Sequence, residues 1–232
     1  MNSDLVISVV IPAYQEEENL RIILPRLQQT LSILPYGSEV IVVDTMQQMD
    51  NAKEVCTQLG TIYKNREHGN NYGDAIRTGI ESAKGKYIIC MDADGSHTPE
   101  FIHKLIEHRD VFDVVIASRY IDGGTTDNSK LLIFMSLVVN IMYSFVLGIK
   151  CKDVSNSFRL YRAEQLKSLH LKCANFDIVE EILFKLVKKN RNFEIKEVPF
   201  YFKKRMFGHT KRNLVAFMFS YLFTIIKLKF DL

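Results

Sequence analysis

The chain has 232 residues, of which 47% are hydrophobic and 25% charged, and this composition suits one large globular domain, with or without an appendage. A net charge of only +3 gives no support for a general nucleic-acid-binding role. The four cysteines form no C-x-x-C pair, and no signal peptide opens the chain, so we expect reduced thiols in the cytoplasm.

Apolar runs alternate with amphipathic segments through the first half of the chain. They predict strands at residues 6–11, 39–43, 61–64, 87–91 and 113–117, and helices at 20–31, 51–59, 72–84 and from Pro99 onward. Strands that alternate with helices predict an α/β fold with a doubly wound, mostly parallel sheet. Several strands end in acids or turns, which predicts one polar edge containing Tyr14, Glu16, Asp44, Asp92 and Asp94.

The strand at 87–91 is followed by two carboxylates, Asp92 and Asp94. In extended backbone, side chains two residues apart point the same way, so both are aimed at one spot beyond the carboxyl end of a strand. Open α/β sheets bind ligands at that end. Two oxygen ligands suit Mg²⁺ or Mn²⁺, although Asp, Gly and Ser are also common in ordinary turns.

Seven segments, in this order, resemble those of inverting family 2 glycosyltransferases of GT-A fold, and most closely the dolichyl- or polyprenyl-phosphate sugar synthases. The resemblance spans about residues 7–212. The matching segments are Val10 to Glu16, Ile41 to Asp44, Gly73 to Ala75, Asp92 to Asp94 with His97, Ser118 to Tyr120, Ser157 to Arg162, and Glu197 to Pro199 followed by Arg205, Gly208, Thr210 and Lys211.

The resemblance implies a metal-dependent transferase that moves a hexose from GDP-mannose or a UDP-sugar to a polyprenyl or dolichyl phosphate. Asp92 and Asp94 match positions that hold Mg²⁺ or Mn²⁺, and Arg119, Arg205 and Lys211 match cations that grip phosphates. The matches to nucleotide-sugar-binding positions are Pro12, Tyr14, Glu16, Asp44, Asp92, Ser96 and Arg159.

The acceptor decides whether a general base is needed. A phosphate monoester is largely dianionic at pH 7 and attacks without one, whereas a sugar hydroxyl requires one. Asp177, Glu180 and Glu181 are the candidate bases, and the competing interpretation is an acidic helix start favoured by the helix dipole. A third hypothesis is a non-catalytic nucleotide-sugar-binding module, because Thr45-Met46-Gln47 replaces the second acid that relatives carry after Asp44.

Two apolar stretches suggest contact with a membrane. Residues 131–149 carry no charge, yet Ser136, Asn140 and Ser144 give them a polar stripe, and a crossing there would split the proposed site. We therefore expect an interfacial helix within a catalytic domain at 1–212, although a helix buried in the core is the alternative. Residues 213–232, apolar and then basic, are expected to add a membrane-associating helix, with a membrane-embedded partner subunit possible.

The basic residues in 203–212 suit an anionic partner, either phosphate or a membrane surface, and the alternative is an ordinary solvated face. We accordingly expect a peripheral protein on the cytoplasmic face of a membrane.

Overall fold

A computed structural model of the chain describes residues 5–190, 192–208 and 223–230. Seven strands form one sheet, and two short strands form a second. The strands are β1 (Leu5–Pro12), β2 (Gly37–Asp44), β3 (Ile62–Asn65), β4 (Tyr87–Cys90), β5 (Val114–Ser118), β6 (Thr125–Thr126), β7 (Arg159–Arg162), β8 (Ile195–Pro199) and β9 (Tyr201–Phe202). The large sheet has the order β3-β2-β1-β4-β7-β5-β8, and β6 pairs with β9.

All of the described helices except the last lie between these strands along the chain. They are α1 (Glu17–Ser32), α2 (Ala52–Gln58), α3 (Tyr72–Ser82), α4 (Ile102–Ile106, after a 3₁₀ turn at Pro99–Phe101), α5 (Lys130–Leu147), α6 (Ala163–Lys167), α7 (Ile178–Lys189) and α8 (residues 223–230). In α1, the apolar residues at helical spacing are the buried ones, among them Leu20, Ile23 and Leu27. The strands and helices predicted for the first half of the chain are therefore confirmed, with shifts of a few residues at their ends.

The large sheet is covered on both faces, as the predicted doubly wound fold requires. Alternate residues of one strand enter different cores: Val10 packs with α3 and α7, whereas Val9 packs with α1. Most neighbouring strands are parallel, but β7 runs antiparallel to both β4 and β5. This strand was not predicted, because an arginine at each end leaves only Leu160 and Tyr161 as an apolar run.

The polar stripe of α5 faces the protein body. Asn140 is buried and its amide bonds Ser136 and Ser155, while the Ser144 hydroxyl donates to the carbonyls of Ile149 and Cys151. The exposed side of the helix is apolar and includes Leu131, Phe134, Ile141 and Phe145. By length and composition α5 could cross a membrane, but such a helix alone is weak evidence that it does.

Candidate active site

The carboxyl ends of β1, β2 and β4 meet at one edge of the sheet. Pro12 is in register with Val43, and Val10 with Cys90. The chain continues this alignment past the strand ends, because the Ala13 amide donates to the Val43 carbonyl at 2.9 Å. The register thus places the segments that follow β1, β2 and β4 side by side, as the sequence predicts.

Asp92 and Asp94 lie on this edge, with side chains 23% and 25% exposed. Asp92 Oδ1 accepts hydrogen bonds from the hydroxyls of Tyr72 and Ser157, at 3.2 and 3.1 Å. Asp94 Oδ1 accepts from the amide and hydroxyl of Ser96, at 3.0 and 2.6 Å. Each carboxylate is therefore oriented through Oδ1, and Oδ2 is the oxygen that it can offer to a cation.

Arg205 reaches this edge from the segment after β9. Its Nη2 lies 2.9 Å from Glu16 Oε1 and 3.8 Å from Asp94 Oδ2. The backbone of the segment is fastened to the same loop, because the Met206 amide donates to the Asp94 carbonyl at 2.8 Å. Burial raises the pKa of Glu16, which lies beside this guanidinium. Glu16, Asp94 and Arg205 thus form one cluster, although nearly the whole chain separates the first from the last.

Asp44 is buried at the end of β2. Its Oδ1 accepts from the Thr45 amide at 2.8 Å, and its Oδ2 accepts from the Tyr63 hydroxyl at 3.1 Å. Burial raises the pKa of Asp44, and burial together with this carboxylate raises the pKa of Tyr63. Of the other predicted nucleotide residues, Pro12 ends β1 and Tyr14 is partly exposed just beyond it.

The unusual run after Asp44 forms a folded turn. The Thr45 hydroxyl donates to the Gln47 carbonyl at 2.6 Å, and the Met46 amide donates to the Asn70 side chain at 2.8 Å. Residues 45–47 therefore form a loop that is held by its own hydrogen bonds.

Two other predicted cationic residues, Arg119 and Arg159, are placed differently from Arg205. Arg119 forms a two-pronged ion pair with the buried Asp153, with nitrogen–oxygen distances of 2.8 and 2.7 Å. Arg159 is 0% exposed and donates to the carbonyls of Val154 and Val179, so it lies in the core rather than on the open edge. Lys211 lies outside the described residues.

The acidic start of α7 is occupied by structural contacts. Glu181 accepts from the backbone amides of Lys172 and Cys173 and from the Lys185 ammonium, all at 2.8 Å or less through its closest oxygen. Asp177 accepts from the Thr224 hydroxyl at 2.8 Å, and Glu180 is fully buried. The geometry therefore favours the helix-start interpretation of these acids over a general base.

Two hydroxyl groups that orient Asp92 were not predicted as site residues. Tyr72 begins α3 and stacks on Phe176, with 4.1 Å between ring centroids. Ser157 lies just before β7. Each lies in or beside a segment that carries the family resemblance, and this position is the sequence signal that could have identified them.

Comparisons with known proteins bear on these observations. The model of the family described as "Glycosyl transferase family 2" matches residues 8–169, which include most of β1, all of β2 to β5 and β7, and the Asp92–Asp94 loop. The chain belongs to glycosyl transferase family 2. Of the residues predicted to bind metal, phosphate or nucleotide sugar, only Arg205 and Lys211 lie outside this match.

Two similar proteins are named for mannose transfer or synthesis on a polyprenol or dolichol phosphate. A dolichol-phosphate mannosyltransferase of Pyrococcus furiosus is 32% identical over 213 residues, covering 88% of this chain and 58% of that protein. A polyprenol monophosphomannose synthase of Mycolicibacterium smegmatis is 28% identical over 223 residues, covering 88% of this chain and 80% of that protein. This chain thus spans little more than half of the Pyrococcus protein's length.

Solved structures support the fold. Glucosyl-3-phosphoglycerate synthase from Mycobacterium tuberculosis, crystallised with Mn²⁺, UDP and phosphoglyceric acid, superposes with a TM-score of 0.75 at 15% identity. The match covers 97% of this chain and 78% of that one. The GT-A architecture predicted from the sequence is confirmed, while the ligands named belong to the Mycobacterium protein.

Proposed function

We propose that this family 2 protein transfers a hexose from GDP-mannose or a UDP-sugar to a polyprenyl phosphate, with inversion at the anomeric carbon. An oxygen of the acceptor phosphate forms a bond to that carbon, and the bond from the carbon to the donor's β-phosphate oxygen breaks. The nucleoside diphosphate leaves with the electron pair. The observation that carries the proposal is the Asp92–Asp94 pair at the carboxyl end of β4, within the family 2 domain.

The residues at this edge fit a Mg²⁺ or Mn²⁺ ion. Both carboxylates are held through Oδ1, and Oδ2 of Asp94 already faces a cationic group, the Arg205 guanidinium. Hard divalent ions prefer such oxygens. When bound, the ion would supply positive charge against the negative charge that grows on the leaving diphosphate. Arg205 would add donors for the same phosphates, because a guanidinium pairs well with them.

The environment of the acids at the start of α7 supports a phosphate acceptor. Glu181 already accepts three hydrogen bonds, and Glu180 is fully buried within α7. A hydroxyl acceptor would have to lose its proton to such a group, whereas a phosphate dianion brings its own nucleophilic oxygen. The environment of these acids is therefore easier to reconcile with a polyprenyl phosphate than with a glycan hydroxyl.

Two neighbouring helices offer a surface for the membrane that holds such an acceptor. On α5 the exposed residues are apolar, and Phe145 is 86% exposed. Helix α8 contacts α5 through Lys229, whose ammonium donates to the Val146 carbonyl at 2.8 Å, and its exposed apolar residues are Phe223, Ile226 and Phe230. Residues 223, 226 and 230 share one helical face. Such faces suit peripheral docking on the cytoplasmic leaflet.

The activity is tested by incubating the purified chain with labelled GDP-mannose or UDP-glucose and a polyprenyl phosphate in micelles, with Mn²⁺ or with EDTA. We expect a labelled lipid in the presence of Mn²⁺ and none with EDTA. Free polyprenol is the matched control, because it presents a hydroxyl where the substrate has a phosphate. Transfer to polyprenol or to soluble sugars alone would favour the hydroxyl-acceptor alternative, and donor binding without any transfer would favour a binding module.

Membrane docking is tested by flotation with anionic liposomes. We expect the wild type to float and the double variant Ile141→Asp, Phe145→Asp to remain in solution, because inserting this face would carry two charges into the apolar part of the membrane. Val111→Asp is the matched control, since Val111 is 66% exposed but lies outside these two helices. A wild type that does not float at low or high salt would assign the apolar surface to a partner subunit instead.

A further inference from the structure

We infer that His97, acting together with Asn156, is a positioning residue that holds the Asp92 end of the proposed cation site in place. The inference rests on the proposed function, because it concerns the same carboxylate. Nothing in the proposed chemistry requires a histidine there, and the ring is fully buried. Its role must therefore be sought in what it holds.

Both ring nitrogens of His97 are used. Nδ1 accepts a hydrogen bond from the Asp92 backbone amide at 2.9 Å, and Nε2 lies 3.1 Å from Asn156 Oδ1. Nδ1 must be unprotonated to accept from the Asp92 amide, and Nε2 must carry a proton to donate to the Asn156 oxygen. The hydrogen bonds therefore assign the tautomer with its proton on Nε2.

Asn156 connects this histidine to the rest of the sheet. Its Nδ2 donates to the carbonyl of Ala117 in β5, and its Oδ1 also accepts from the Phe158 amide at 3.3 Å. The loop after β4 is thereby tied to β5 and to the residues that lead into β7. Because β7 lies between β4 and β5, the relay connects three adjacent strands at their ends.

Aromatic rings fix the plane of the imidazole. Phe158 stacks on His97 with 4.7 Å between centroids and 13° between planes, and Phe200 and Phe202 meet the ring edge-on at 6.0 and 5.6 Å. A ring held in this way cannot swing away from the Asp92 amide without disturbing its neighbours. The three rings therefore fix the direction of the hydrogen bond between the Asp92 amide and His97 Nδ1.

The same loop also orients the Asp92 carboxylate. Ser157, next to Asn156, donates its hydroxyl to Asp92 Oδ1 at 3.1 Å. Asn156 thus positions the backbone of Asp92 through His97, and Ser157 positions the Asp92 side chain directly. Groups that orient a ligand typically change metal affinity by about 10- to 100-fold when they are lost.

Two substitutions separate positioning from simple space filling. His97→Asn retains an acceptor where Nδ1 stands but reduces the aromatic packing, whereas His97→Phe retains the packing and removes both hydrogen bonds. We measure Mn²⁺ binding to the purified chain by electron paramagnetic resonance, and the melting temperature of each variant in parallel. Positioning predicts about 10-fold or greater weakening in His97→Phe and a smaller loss in His97→Asn.

Space filling predicts the opposite order, so Mn²⁺ affinity of the wild-type strength in folded His97→Phe would overturn the inference. A double-mutant cycle with Asn156→Leu tests the relay, because residues that act as one unit give non-additive losses. Additive losses in this cycle would overturn the role of Asn156. A wild type that binds no Mn²⁺ would overturn the proposed cation site and with it the positioning role. A wild type that binds Mn²⁺ while folded His97→Phe binds it equally well would overturn the positioning role alone.

Discussion

Two pairs of carboxylates in this molecule have different environments. Asp92 and Asp94 follow β4, and about a quarter of each side chain is exposed. Glu180 and Glu181 begin α7 and are buried, and Glu181 is surrounded by two backbone amides and a lysine. From the sequence alone, both pairs were candidates for catalysis.

The difference lies in which oxygens remain available. A carboxylate offers about four acceptor sites. At Asp94, the serine that follows two residues later takes Oδ1, and Oδ2 faces Arg205 across 3.8 Å. At Glu181, donors reach both oxygens, so the side chain holds the loop before α7 in place. A carboxylate that must bind a ligand keeps an oxygen accessible, and a structural one does not.

The largest expected effect comes from Asp94→Asn. Asparagine retains the Oδ1 that accepts from Ser96 but places an amide nitrogen where Oδ2 stands, so the loop is kept and the cation ligand is lost. We expect turnover to fall by more than about 100-fold and Mn²⁺ binding to weaken, with little change in melting temperature. Kinetic assays over a range of Mg²⁺ and Mn²⁺ concentrations measure this.

Glu164→Gln is the control for Asp94→Asn, because Glu164 is an exposed carboxylate in α6. It removes the same charge without touching the site and should leave turnover unchanged. Wild-type turnover in Asp94→Asn would show that Asp94 is not a cation ligand, and the two pairs of acids would then no longer differ in function.

A smaller loss of turnover is expected for Arg205→Ala. The Arg205 guanidinium forms an ion pair with Glu16 at 2.9 Å, and both side chains are partly exposed. Removing the guanidinium should therefore lower the free energy of unfolding only slightly. Losing a charged donor to phosphate typically costs about 1.5–3 kcal/mol, which corresponds to a drop in kcat/KM of roughly 10- to 150-fold. Steady-state kinetics with the donor varied measures this drop.

Lys204→Ala tests whether the loss is specific to Arg205, since Lys204 is exposed and adjacent. Equal losses in the two variants would indicate a general effect of charge. A large fall in melting temperature with normal kcat/KM would assign Arg205 to the fold.

Much of the fold could be predicted because the pattern of apolar residues along the sequence indicates which side chains are buried. The strands at β1, β2, β4 and β5 are apolar runs, and each is buried on both faces of the sheet. Strand β7 could not be predicted in this way, because Arg159 and Arg162 interrupt its apolar pattern. Whether the buried Arg159 finds acceptors depends on carbonyls such as that of Val179, which come from distant parts of the chain.

The site was predictable where its geometry is local. Asp92 and Asp94 are two residues apart, so strand geometry alone places them together. The pairing of Arg119 with Asp153 could not be predicted, because it depends on a loop 34 residues further along the chain. An arginine in a family motif looks the same in sequence whether a phosphate or a buried aspartate receives it.

The smallest expected effect on turnover comes from Glu181→Gln, which should instead change stability. Burial raises the pKa of Glu181, but the Lys185 ammonium and the amides of Cys173 and Lys172 outweigh it and leave the pKa below its usual value. Charged hydrogen bonds of this kind contribute about 1.5–3 kcal/mol, and we expect a loss of that order in the free energy of unfolding at pH 7. Turnover per folded molecule should remain within about twofold of the wild type.

The pH dependence of this loss identifies its cause. Because the pKa of Glu181 is lower in the folded than in the unfolded state, its stabilising contribution is complete above the unfolded value of about 4.3 and disappears as the pH falls through the folded value. The difference in unfolding free energy between wild type and Glu181→Gln should therefore be constant near neutrality and shrink below about pH 4.3. Urea titrations at a series of pH values measure it, with Glu164→Gln as the exposed control. A difference that stays constant to low pH would show that the ionised carboxylate is not the stabilising species, and lost turnover at pH 7 would return Glu181 to the candidate bases.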